Sequence, residues 1–81
     1  MKLPRNLDSN ILIKKLEILG YSITRQTGSH IRVSTKVNGE NHETIPFQEP
    51  LKAGTLNVIL KHLSVHHHLT REQLFEKLQL F

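Results

Sequence analysis

The sequence predicts an α+β fold, a three-stranded antiparallel sheet with helices packed on one face. Three observations carry this. Apolar residues recur with a helical period towards both ends of the chain and with a strand period between them. The strand-period stretch is cut by turn-forming residues at Thr27-Gly28-Ser29 and Asn38-Gly39, leaving three short strands whose tight links make them antiparallel. Finally, 81 residues allow one small domain, in which a single helical layer on one sheet face buries each apolar stripe.

The elements follow in order. Met1 to Leu7 reads as a lead-in segment. Asp8 is placed to cap a helix beginning near Ser9 by accepting a hydrogen bond from a first-turn N–H. Leu12, Ile13, Leu16 and Leu19 form its stripe, with Lys14, Lys15 and Glu17 off it. Gly20 suits the left-handed residue that ends a helix. From Tyr21 the period becomes two: Tyr21 and Ile23 alternate with Ser22 and Thr24 in a first strand ending near Gln26. A second strand runs from about His30 to Lys36, and Asn38-Gly39 signals a two-residue hairpin. A third strand runs from about Glu40 to Ile45, where Pro46 removes a ladder donor and stops it.

Phe47 to Lys52 is a loop containing Pro50. Gly54-Thr55 opens a second helix on the stripe Leu56, Ile59, Leu60 and Leu63, expected to end near Ser64. Thr70-Arg71-Glu72-Gln73 matches a capping box, with Leu69 and Leu74 spaced as a hydrophobic staple. A third helix then runs from Arg71 to about Gln79, with Leu74 and Leu78 turned inward. The chain is read as one domain, 1–81, with a core of about 8–65 and a C-terminal helical extension over 66–81.

Composition narrows the function. A formal net charge of +4 and a pI near 9.8 favour polyanionic partners, although the basic residues form no run and any basic face must be assembled by folding. The absence of cysteine excludes disulfides and thiolate metal sites. No apolar run approaches the ~20 residues that cross a bilayer. Met1-Lys2-Leu3-Pro4-Arg5 lacks the apolar core of a signal peptide, so the expected location is cytoplasmic, without a membrane partner.

The chemistry concentrates in Gln26-Thr27-Gly28-Ser29-His30-Ile31-Arg32-Val33. Side chains alternate along a strand, so apolar Ile31 and Val33 take the buried face and leave His30 and Arg32 together on the wet one. Packing requires no histidine there. Imidazole, with an ordinary pKa of ~6.5, suits general acid–base work, and a guanidinium can hold a phosphate oxygen by charge-assisted hydrogen bonds. Gly28 lets backbone approach a phosphate closely, and its N–H or that of Ser29 can donate. Each residue also has an ordinary alternative: a surface histidine at a turn, a solvated arginine, a glycine serving only positive φ.

A wider pattern surrounds this stretch. Leu19-Gly20-Tyr21, Arg25-Gln26, Gly28-Ser29-His30, Thr44-Ile45-Pro46 and Leu51-Lys52-Ala53-Gly54-Thr55-Leu56, in that order after a first helix, resemble the HicA family of toxins over roughly residues 8–65. The resemblance implies a small fold like the double-stranded-RNA-binding domain, α-β-β-β-α, here with an extra C-terminal helix. It implies a type II toxin that acts as an endoribonuclease on mRNA, with His30 at the catalytic position beside Gly28 and Ser29. It also implies a HicB-type antitoxin as partner. After Ile45-Pro46 the family often carries a further histidine. This chain has Phe47-Gln48-Glu49, so no role transfers there.

The remaining motifs point to less. His66-His67-His68 does not converge on one ion in a regular element. His62 and His66 are spaced i, i+4 across the expected helix end, so this run reads as a solvent-facing connector. Neither a metal site nor a cofactor is expected. His42 is not assigned a face. Tyr21 reads as core at the sheet edge, and Phe47, Phe75 and Phe81 as core, loop cover or partner contact; with so few aromatics a base-stacking surface is unsupported. The alternative to the nuclease is a non-catalytic RNA-binding module of the same fold.

Overall fold

A computed structural model describes residues 3–4 and 6–80. Met1, Lys2, Arg5 and Phe81 lie outside the described residues, and with them part of the lead-in segment and one aromatic. The elements are α1 (Ser9–Leu16), continued by a 3₁₀ turn (Glu17–Leu19), β1 (Ser22–Thr27), β2 (His30–Thr35), β3 (Asn41–Pro46), α2 (Ala53–His67) and α3 (Arg71–Leu78). The sheet has the order β1-β2-β3 and is antiparallel throughout. This is the α+β order expected, helix, three strands, then two helices.

Packing divides the central strand by parity. Ile31, Val33 and Thr35 are buried against the helices, and Ile45 beside them on β3 is fully buried. The α1 stripe (Leu12, Ile13, Leu16), Leu19 in the 3₁₀ turn, and Leu56, Ile59, Leu60 and Leu63 of α2 meet them in one core. His30, Arg32, Ser34, His42 and Thr44 occupy the opposite, uncovered face, as their register with one another requires.

Several expectations are corrected. Asp8 holds the N-cap position of α1 but its side chain makes no capping bond. Ser9 does the anchoring instead. Its peptide N–H donates to the Gln48 carbonyl (3.1 Å). Its buried hydroxyl accepts from the Gln48 N–H (2.6 Å) and lies 2.7 and 2.9 Å from the Pro46 and Gln48 carbonyls. The loop after β3 satisfies the helix start, so a local cap is not needed.

The first strand begins at Ser22 and is exposed along its whole length, with Ile23 55% exposed. It is an edge strand, and α1 and α2 pack on β3 at the other side of the sheet. The register also shifts between Ile23 and Arg25, so Thr24 is an extra residue in a β-bulge. Asn38 and Gly39 do adopt positive φ (57° and 94°), but the loop from Lys36 to Glu40 is longer than a two-residue hairpin. The Thr35 hydroxyl explains why. It donates to the Leu19 carbonyl (2.8 Å) and accepts from the Val37 N–H (3.1 Å), folding the loop down over Gly20.

Helix α2 continues past Ser64 to His67. No glycine or proline interrupts it there, and His67 falls one turn after Leu63 on the buried side. The capping box of α3 forms where the sequence places it: the Thr70 hydroxyl accepts from the Gln73 N–H (3.1 Å) and the Gln73 side chain accepts from the Thr70 N–H (2.9 Å).

Candidate functional site

The hairpin joining β1 to β2 has only two loop residues, Gly28 and Ser29, between the paired residues Thr27 and His30. Gly28 takes φ 57° while Ser29 keeps negative φ, the pattern of a type II′ turn with glycine first. Among the described residues nothing lies within 4 Å of where a Cβ on Gly28 would stand, so its backbone is open to an approaching group. The Ser29 carbonyl accepts from the Phe47 N–H (2.6 Å), tying the turn to the end of β3.

His30 therefore starts the middle strand, with Thr27 on one side and Pro46 on the other. Its imidazole is exposed and makes no hydrogen bond among the described residues. Arg32 follows two residues on, on the same face, with Arg25 opposite it on β1 and Thr44 opposite it on β3. Gly28, Ser29, His30 and Arg32 are thus gathered at one end of the open face.

Further along that face lies a concavity of about 760 Å³. His30 stands outside it; Arg32 lies on its wall and links the two. Thr24, Arg25, Ser34, Glu40 and His42 also line it. Within it runs a hydrogen-bonded chain. The Thr24 and Ser34 hydroxyls are 2.8 Å apart, Ser34 Oγ is 2.5 Å from His42 Nδ1, and His42 Nε2 is 3.0 Å from Glu40 Oε2. His42 is thereby assigned to the open face. The sequence held a signal for Ser34 in the parity of β2 and for His42 in β3, where counting back from Ile45 in steps of two gives Glu43 inward and His42 outward. The bulge that delivers Arg25 leaves no such trace.

A second polar cluster sits on the helical side of the sheet. Asn41 Nδ2 donates to Tyr21 Oη (2.6 Å), Tyr21 Oη is 3.0 Å from His67 Nε2, and the two carboxylate oxygens of buried Glu43 meet Asn41 Nδ2 (3.2 Å) and His62 Nδ1 (3.1 Å). Burial, aided by His66, holds the His67 imidazole below the ordinary histidine range, with Glu43 opposing. Burial raises the Tyr21 phenol, Glu43 adds to that, and the Asn41 hydrogen bond works against it. The histidine run is accordingly no solvent-facing connector: His66 Nε2 faces the Val37 and Gly39 carbonyls (3.0 and 3.1 Å), His67 is core, and His68 ends α2 at φ 55°. No group of three or more His, Cys, Asp or Glu arranged to hold a metal ion occurs among the described residues.

A family model described as the HicA toxin of bacterial toxin–antitoxin systems matches residues 9–65. The chain belongs to the HicA toxin family. The match spans every element from α1 through most of α2 and includes the Gly28-Ser29 turn, His30 and Arg32. Membership carries the role of a toxin paired with an antitoxin. No curated protein and no solved structure matches this HicA chain. No helix among its described residues is long and apolar enough to cross a membrane.

Proposed function

We propose that this HicA toxin is an endoribonuclease that cleaves mRNA in the cytoplasm and so inhibits translation, with His30 as its general acid–base residue. One observation carries the reading: an exposed imidazole heads the central strand, beside an open glycine turn and two residues from an arginine, on the face that no helix covers. RNA supplies its own nucleophile, the 2′-hydroxyl. His30 accepts the proton of that hydroxyl as its oxygen bonds to the adjacent phosphorus. The bond from phosphorus to the 5′-oxygen breaks, and that oxygen must receive a proton. The products are a 2′,3′-cyclic phosphate and a 5′-hydroxyl. Arg32 holds a non-bridging phosphate oxygen, and the N–H of Gly28 or Ser29 donates to another. Every role in this scheme is filled by the RNA, His30, Arg32 and backbone N–H groups, so cleavage should persist in excess chelator; abolition by EDTA and rescue by a divalent ion would overturn it.

The HicB-type antitoxin silences the enzyme by covering the region around His30 and Arg32 with an acidic surface, an association that complementary charge makes fast and salt-dependent. The test is His30→Ala. RNA cleavage and growth arrest should be lost, cleavage falling by about 10²–10⁴-fold, while circular dichroism is unchanged and stability in the thermal melt shifts by less than ~0.5 kcal/mol, as for an exposed residue. A folded His30→Ala protein that still cuts RNA at the wild-type rate would remove His30 from the mechanism. A wild type that binds RNA with strong salt dependence but never cuts it would make the chain a non-catalytic RNA-binding module.

A further inference from the structure

The open face carries a charge arrangement that folding alone does not explain. Arg25 and Arg32 are directly opposite on neighbouring strands. Like charges in that relation destabilise a sheet. Among the described residues the ion pairs are His42 with Glu40 and His62 with Glu43, and neither arginine takes part in one. Arg25 reaches this position only because of the bulge. Ile23 faces the helices opposite Val33, and unbroken alternation would turn Arg25 to the same side. The extra residue puts both Thr24 and Arg25 on the concavity. Two guanidiniums, each with a fork of five donors, stand together where a phosphate would relieve their repulsion and accept from both.

The other end of the concavity is mixed: Glu40 and His42 line it together with Lys36 and Val37. Ser34 and Glu40 occupy the two nitrogens of His42, which fixes its ring. With the carboxylate accepting from His42 Nε2–H, the Ser34 hydroxyl donates to Nδ1, and the Thr24 hydroxyl lies within reach of both Ser34 Oγ (2.8 Å) and the Arg32 carbonyl (3.4 Å). What these two residues leave for a ligand is the imidazole π-surface and the second oxygen of Glu40, with Lys36 and Val37 beside them on the lining. An aromatic face accepts a stacked base, and a carboxylate oxygen accepts base N–H groups while repelling phosphate. The site is therefore polar along its length, with phosphate at the arginine end and base at the His42–Glu40 end. Its volume of about 760 Å³ lies within the range of small-ligand pockets.

We propose that this concavity is a nucleotide subsite beside the cleavage site, gripping the neighbouring phosphate with Arg25 and Arg32 and seating that nucleotide's base against His42 and Glu40. The inference rests on the nuclease reading for its position: Arg32 lies about 7 Å along β2 from His30 and Ser34 about 13 Å, at ~3.3 Å per residue, so an extended strand crossing the sheet passes from one site to the next. Arg32 serves both phosphates, whereas Arg25 and His42 serve only the subsite. A single-stranded RNA fits better than an acidic protein, because the carboxylate and fixed ring at the far end suit a base and not an acidic side chain.

The experiment measures binding of a single-stranded RNA to the His30→Ala protein, with and without Arg25→Gln, across a salt series, and maps the cuts made by active Arg25→Gln and His42→Ala proteins. Arg25→Gln should weaken binding and flatten the log–log salt slope by about 0.7, one phosphate contact on a single strand. In the active protein it should raise KM with little change in kcat. Arg25→Lys should restore the slope but only part of the affinity. His42→Ala should relax the nucleotide preference next to the cut. Unchanged affinity, slope and cut map in folded variants overturn the subsite and leave His30 chemistry standing. Weaker binding with a flatter slope, in a protein whose wild type never cuts RNA, supports the subsite and overturns the nuclease. If Arg25→Gln and His42→Ala leave RNA binding intact but weaken binding of poly-glutamate, the concavity serves an acidic protein and the inference fails.

Discussion

Mild acid should destabilise this protein through His67. Asn41 Nδ2 donates to Tyr21 Oη at 2.6 Å, so the phenol hydrogen is directed to His67 Nε2 at 3.0 Å. The imidazole is thus neutral, with its own proton on Nδ1, and burial holds its pKa below the ordinary value. An unfolded histidine titrates near ~6.5. Between that value and the lower folded one, the unfolded chain binds more protons, and stability falls as pH falls. The contribution is fully present above about pH 6.5 and is lost as pH drops through the folded value, at no more than about 1.4 kcal/mol per pH unit. The total is bounded by the bond that breaks. A protonated Nε2 becomes a donor, Tyr21 Oη then receives two hydrogens, and its own hydrogen is left buried without an acceptor, a cost of about 1–3 kcal/mol. For a domain of this size each kcal/mol moves Tm by roughly 4–8 °C. Thermal melts from about pH 7.5 to about pH 5, bracketing the ordinary histidine value, should show that fall in the wild type and a shallower one in His67→Leu. The other histidines are common to both proteins, so the difference isolates His67. Parallel curves would refute the argument. At the alkaline end Tyr21 acts in the opposite sense: its raised pKa gives stability that is present below about pH 10 and lost as pH rises through the folded value.

Two further substitutions test the packing. Val33→Ala removes methyl groups from a fully buried position on the central strand and should cost about 2–3 kcal/mol in urea unfolding; a loss below ~0.5 kcal/mol, typical of surface positions, would mean that the helical layer does not press on β2. Gly20→Ala should cost at least ~1–3 kcal/mol, because φ is 83° and a Cβ would stand 2.7 Å from both Thr35 Oγ1 and Val37 Cγ2. A Gly20→Ala protein with a wild-type melting temperature would show that the 3₁₀ turn and the β2–β3 loop can separate freely.

What was legible in the sequence is what local physics decides. The stripe of α1, the glycine after Leu19 and the capping box at Thr70 are set by residues three or four apart, and each forms where the pattern puts it. The placement of His30 and Arg32 on the open face follows from Ile31 and Val33 beside them. What was not legible depends on partners far along the chain. Ser9 replaces Asp8 as anchor because Gln48 lies across from it. Three histidines in a row read as polar connector until Tyr21, 46 residues away, offers one of them a buried partner. The bulge at Thr24 depends on pairing with β2, so no periodicity within β1 reveals it.

The same contrast bears on how the candidate site is built. Along β2 the inward residues hold the helices and the outward ones lie off the core, so substitutions at His30 or Arg32, and at exposed Arg25 on β1, should alter catalysis or RNA binding at little cost to the fold. Ser34 and His42 differ: they are outward, but each is fixed by the next in a chain ending at Glu40 in the β2–β3 loop. That loop is itself held from beneath by Thr35 and from α2 by His66, whose Nε2 faces the Val37 and Gly39 carbonyls. The exposed end of the concavity is therefore positioned by contacts from the buried side of the sheet.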